Sequence, residues 1–149
     1  MPEAAAAEGT VLAFDFGTKR IGVAVGEGSM RLAHPLEGIV GERSEARFAA
    51  ISRLIEIWRP VRLVVGLPLT ESGEAQDTTL RAERFARQLE GRFGLPVGMV
   101  DERYTSADAE GSLKRMGAHG AARRNAVDSA AAQLILQQWF DERDHAIQP

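Results

Sequence analysis

The 149-residue sequence predicts an α/β fold, a mixed five-stranded sheet of order 3-2-1-4-5 with helices on both faces. Three observations carry this expectation. Three short apolar runs with brief connections fill the first forty residues, the pattern of an antiparallel meander. After Gly41 the apolar residues take helical spacing and alternate with two more strand-like runs, as in two right-handed β-α-β crossovers. A last helical stripe closes the chain. Strands 1, 4 and 5 then run parallel, and their carboxyl ends meet at one edge, where open α/β sheets bind ligands.

The elements follow in order. TVLAFDFGT, from Thr10, reads as a strand ending in a turn at Gly17, and RIGVAVGE as the second strand. MRLAHPLEGIV is the third, which Pro35 directs to a sheet edge because proline cannot donate to a ladder. Phe48, Ile51, Ile55 and Trp58, with Leu54 beside them, form an amphipathic helix that Arg59–Pro60 ends. VRLVVGLPL is apolar without alternation, as expected of a central strand covered on both faces. Ala82, Phe85, Ala86, Leu89 and Phe93 line a second helix, stopped by Gly94 and Pro96, and LPVGMVDE is the fifth strand. Thr105 and Asp108 match a capping pattern before a short helix containing Ala109, Leu113 and Met116. MGAHGAARRNA reads as a loop, with Asn125 as N-cap of a last helix over 126–140. Trp58 and Trp139 are assigned to the core. One domain over 11–140 results, with tails at 1–10 and 141–149.

Composition narrows the class. The chain has 44% hydrophobic and 26% charged residues, an ordinary globular balance, and no cysteine. Disulfides, thiol catalysis and thiolate zinc sites are thereby excluded, and a reducing cytoplasm is the expected location. Three scattered histidines, His34, His119 and His145, offer no histidine metal cluster. No apolar run reaches the roughly 20 residues needed to span a membrane. The net charge of −3 arises at the ends, about −2 from each tail, while 11–140 sums to +1 from 17 basic and 16 acidic residues. Residues 111–127 contain Lys114, Arg115, Arg123 and Arg124 and no acid, a candidate basic stripe along a nucleic-acid backbone.

Three acids converge on the predicted edge. Asp15 lies between two phenylalanines at the end of strand 1, where a carboxylate is expensive to bury without compensation. Gly17 beside it permits close approach of another chain or a phosphate. Capping of the Thr18–Lys19 turn is the alternative role for Asp15. Asp101 and Glu102 follow strand 5; because successive strand residues point to opposite faces, only one of them turns toward Asp15. Asp128 leads the stripe Ala131, Ala132, Ile135 and Trp139, whose two alanines permit close packing on the sheet. Converging carboxylates repel unless a cation lies among them, and oxygen-only ligands favour Mg²⁺ or Mn²⁺. Such a site suits phosphodiester hydrolysis.

At this point the sequence resembles a known family. DFGTKRIGVAVG (15–26), VVGLPL (64–69), DERYTS (101–106) and DSAAAQLIL (128–136) are similar, in order and spacing, to the four signature blocks of the YqgF family. These are RNase H-like Holliday junction resolvases, also described as pre-16S rRNA nucleases. The resemblance covers about 11–140 and implies an RNase H-like fold and a metal-dependent nuclease. It assigns Asp15 as the first-strand metal ligand, Glu102 as the second acid and Asp128 as the third. Better-known junction resolvases carry the second acid after strand 4; here that place reads Gly66–Leu67–Pro68, so the role passes to strand 5. Lys19, Arg20 and Arg103 flank the acids as candidate phosphate contacts.

The leading expectation is an endonuclease acting on structured RNA, in 5′-end maturation of pre-16S rRNA. Branched DNA is the alternative substrate, since phosphate contacts carry no base identity. A four-way junction needs two active sites, so a dimer favours DNA; the sequence leaves monomer against homodimer open. DFGT also resembles the first phosphate loop of the actin, Hsp70 and sugar-kinase class, which needs two such domains. A non-catalytic scaffold for ribosome-assembly or transcription proteins is the third reading, against which the retained acids argue.

Overall fold

A computed structural model describes residues 9–68, 76–102 and 120–147 of the chain, with side chains in the last helix described over 129–143. Its elements are β1 (Thr10–Phe16), β2 (Arg20–Glu27), β3 (Leu32–Val40), α1 (Ser44–Trp58), β4 (Arg62–Leu67), α2 (Asp77–Phe93), β5 (Val97–Asp101) and α3 (Gly120–Ile147). They form one five-stranded sheet in the predicted order, β3-β2-β1-β4-β5. β2 pairs antiparallel with β1 and β3, whereas β1, β4 and β5 are parallel. Pro35 is accordingly on an edge strand.

Strand alternation divides the core in two. Leu12, Phe14, Ile21, Val23, Leu63 and Val65 face α1 and α2, meeting Phe48, Ile51, Phe85 and Leu89. Val11, Ala13, Ala24, Ala33, Val64 and Val100 face α3, meeting Ala132, Ile135, Leu136 and Phe140. This second face is built of small residues, so α3 lies close on it. An added Cβ at Gly98 would stand 2.5 Å from the Trp139 ring, and one at Gly26 2.7 Å from the Phe140 ring. α3 also covers the edge strand. The Gln137 amide accepts from the Ala33 N–H (3.1 Å) and donates to the Arg31 carbonyl (3.0 Å), and Gln133 donates to the Ala33 carbonyl (3.0 Å). Edge backbone that would otherwise offer a pairing template is thus occupied.

The helix ends match their residues. Arg59 ends α1 in the left-handed conformation (φ 48°), its N–H bonded to the Ile55 carbonyl, and Gly94 ends α2 likewise (φ 67°). Three expectations need correction. The last helix begins at Gly120, so 120–126 is not loop and Asn125 lies within the helix instead of capping it. Ala121, Ala122, Arg123, Arg124 and Ala126 are strong helix formers that outweigh the neighbouring glycines. The same helix runs on to Ile147, into the segment read as a tail. Trp58, the last residue of α1, is 39% exposed and not core. Trp139 is half-buried between Gly98 and the guanidiniums of Arg62 and Arg143. The Thr105–Met116 helix lies outside the described residues. Among those residues no helix is long and apolar enough to cross a membrane.

Candidate active site

β1 brings Asp15 to the carboxyl rim on the α3 face, since it alternates in step with Val11 and Ala13. On β5, Val97 packs with the opposite core while Val100 faces α3. The Glu102 N–H donates to the Leu67 carbonyl (3.1 Å), continuing the ladder one residue past the strand. Glu102 therefore shares the face of Val100 and of Asp15, and Asp101 takes the other. Alternation settles which acid of the pair turns inward.

Asp15 and Glu102 are not on neighbouring strands, because β4 runs between β1 and β5. Their side chains nonetheless hydrogen-bond to each other. The residue of β4 that lies between them is Gly66, next in register after the pairs Ala13–Val64 and Phe14–Val65. A Cβ there would stand 2.3 Å from Glu102 Oε2 and 2.3 Å from Ile135 Cδ1. The missing side chain is the opening through which Glu102 reaches across β4 under α3. In the sequence Gly66 marks only the lack of an acid after strand 4; in the fold it supplies the space that lets the acid arrive from the next strand.

Burial pushes the Glu102 carboxyl above its ordinary range and the negative charge of Asp101 adds to the rise, while the hydrogen bond with Asp15 opposes them. A hydrogen bond between two carboxyl groups needs a proton on one of them. Carboxylate oxygens brought this close are also the donors a hard cation takes. The donor set is all oxygen, and the described histidine, His34, lies exposed on β3, away from the rim. The pair fits a divalent ion. Among the described residues no cluster of three potential ligands forms. Asp128 falls in α3, four residues before the buried Ala132 and one before Ser129, whose hydroxyl donates to the Leu36 carbonyl (2.5 Å). Its side chain is outside the described residues.

The turn beside Asp15 is held by a residue that sequence reading missed. Arg47, only 6% exposed, donates from Nη2 to the Gly17 and Thr18 carbonyls (2.7 and 2.6 Å) and from Nε to the Gly41 carbonyl (2.6 Å). Desolvation lowers its pKa, with the nearby Glu42 charge opposing. Its signal was a charged residue one position before Phe48 in an apolar helical stripe. Gly17 admits the chain itself, since a Cβ would stand 2.6 Å from the Arg20 carbonyl. Lys19 is exposed at the turn, and Arg20 starts β2, half-buried. Arg123 and Arg124 belong to α3; Arg103, Lys114 and Arg115 lie outside the described residues.

Solved structures with the same architecture include RuvC of T. thermophilus in complex with a Holliday junction substrate (TM-score 0.55, 18% identity, 91% of this chain and 96% of that one). The Fowlpox virus resolvase bound to Holliday junction DNA is another (TM-score 0.58, 8% identity, 90% and 98%). At these identities the likeness shows the fold, and the fold is RNase H-like. The chain belongs to the family described as "RuvX: Holliday junction resolvase", which matches residues 9–142; it is the family that the four sequence blocks resemble. A relative in Methylobacillus flagellatus is 53% identical over 142 residues, 95% of this chain and 97% of its own length, and is named "Putative pre-16S rRNA nuclease". One of the same name in Nitrosomonas eutropha is 54% identical over 133 residues, 89% and 85% of the two chains.

Two outcomes follow. Gly66→Ala forces overpacking against Ile135 and the Glu102 carboxyl and lowers unfolding free energy by about 1–3 kcal/mol in urea titrations. Glu102, its pKa raised in the fold, stabilises less as pH climbs past the ordinary glutamate range. In EDTA, Glu102→Gln is therefore more urea-resistant than wild type at pH 7–8, and the two converge below about pH 4. A wild-type advantage at neutral pH under chelation contradicts the buried-charge account.

Proposed function

We propose that the protein is a divalent-metal-dependent endonuclease that hydrolyses phosphodiesters of structured RNA, in 5′-end maturation of pre-16S rRNA. The observation that carries this reading is the half-buried carboxyl pair, Asp15 and Glu102, joined across Gly66 at the carboxyl rim of an RNase H-like sheet. Two oxygen donors of one sign, brought together where water is partly excluded, are costly unless their purpose is to hold a cation. The names of the relatives support the RNA substrate.

Asp15, Glu102 and Asp128 would hold Mg²⁺ or Mn²⁺. When bound, the metal activates the attacking water and stabilises the leaving oxygen. The chain supplies the rest. Asp15 approaches from β1, and Glu102 from the residue after β5 that the Leu67 carbonyl still holds to the sheet, so the sheet governs their spacing. α3 covers Glu102 and limits water on that side, which strengthens charge interactions within the site. Lys19, Arg20 and Arg103 neutralise the substrate phosphate, and Lys114, Arg115, Arg123 and Arg124 follow the backbone beyond it. The water oxygen adds to phosphorus as the bond to the 3′ oxygen breaks, leaving a 5′-phosphate and a 3′-hydroxyl.

Junction DNA is the second reading, favoured by the family description. Purified protein incubated with precursor rRNA and with four-way DNA, each with Mn²⁺ and with chelator, separates the two. RNA cleavage by a monomer supports the first reading; cleavage of DNA alone by a dimer supports the second. On the cleaved substrate, Asp15→Asn, Glu102→Gln and Asp128→Asn each lower the rate on the order of 100-fold or more, with circular dichroism unchanged. Undiminished cleavage in all three variants removes the catalytic assignment.

A further inference from the structure

The rim has a second face. Asp15 turns toward α3, so the next residue, Phe16, turns the other way. There it borders a cavity of about 430 Å³ between the β1–β2 turn, the start of α1 and one side of α2. Phe16, half-buried, lines it in front of the core rings Phe48 and Phe85. Phe16 lies 4.8 Å from Phe85 between centroids, tilted 31°, and Phe85 lies 6.1 Å from Phe48. Arg81 and Arg84 stand on the α2 side. Buried Arg47 forms part of the wall, its guanidinium 5.5 Å from the Phe16 ring centroid and bonded to the carbonyls that shape the turn.

The chemistry of this lining is specific. Three arginines face one acid, Glu42, so the cavity favours an anion. Arg81 has an ion pair with Asp77 at 3.8 Å, with both side chains largely in water, and such a pair is readily exchanged for a stronger partner. A guanidinium rim over aromatic rings matches a nucleotide. The phosphate takes the planar fork, and the base lies against the half-buried Phe16 ring, a contact tolerant of base identity. Position adds to chemistry, because adjacent residues of one strand border the carboxyl pair and this cavity.

We propose that the cavity holds one unpaired nucleotide of the strand whose nearby phosphodiester lies at Asp15 and Glu102. The strand rests on the nuclease reading; the ligand class, a nucleoside monophosphate unit, does not. The test uses the full chain in EDTA, so that binding is read without cleavage. Adenosine 5′-monophosphate, a short unpaired oligonucleotide and inorganic phosphate are each titrated by calorimetry and by amide NMR. The expected result is saturable oligonucleotide and monophosphate binding that shifts the Thr18 and Ser44 amides, with phosphate weaker. The exposed double variant Arg81→Ala/Arg84→Ala keeps its circular dichroism and loses at least about tenfold in oligonucleotide affinity, as expected when phosphate contacts go. Unchanged affinity in that variant, or shifts confined to other regions, overturns the proposal, and monophosphate binding without oligonucleotide binding overturns its strand. Absence of Mn²⁺-dependent cleavage with oligonucleotide binding intact counts against the nuclease reading alone.

Discussion

The arrangement depends on a carboxyl pair made across an intervening strand. Asp15 belongs to β1 and Glu102 directly follows β5, and a strand's width of backbone separates them. Two residues of the α3 face make the contact possible, one by lacking a side chain and one by packing over the gap. Gly66 leaves the opening, and Ile135 closes it from above. The cost of placing two half-buried acids side by side is met by something with positive charge, whether a shared proton or a cation. The fold stores this demand at a rigid place, where the parallel strands end.

The same constraint explains the asymmetry of the two faces. α1 and α2 cover large side chains, as Phe14, Phe85 and Leu89 attest, and form the deeper apolar layer. α3 lies on alanines and glycines instead, and so comes close enough for Ile135, Trp139 and Phe140 to occupy spaces left by Gly66, Gly98 and Gly26. The turn next to Asp15 is held from the opposite face by Arg47, through three carbonyl contacts. One strand end is thereby fixed from both sides.

Much of this was legible in the chain. Periodicity revealed the five strands and the first two helices, because apolar alternation and helical spacing report on which face each residue buries, and the handedness of the crossovers gave the strand order. Asp15 stood out as an acid inside an apolar strand, and alternation was enough to say that only one of Asp101 and Glu102 turns inward. The early start of α3 was not legible, since Gly117 and Gly120 mimic loop composition while the alanine and arginine residues that follow carry the helix. Arg47 and Gly66 were hidden for a different reason. Each acts through contacts with residues remote in the chain, and neither has a local pattern that announces them. Trp58 was misplaced because helical spacing does not say where a helix end leaves the sheet.

The most direct test of the central claim is anomalous diffraction from crystals of the full-length protein grown with Mn²⁺. The account predicts one or two manganese peaks at the carboxyl rim, at coordination distance (about 2.1 Å) from oxygens of both Asp15 and Glu102. Full-occupancy manganese bound elsewhere, with those two carboxyls still hydrogen-bonded only to each other, would contradict it.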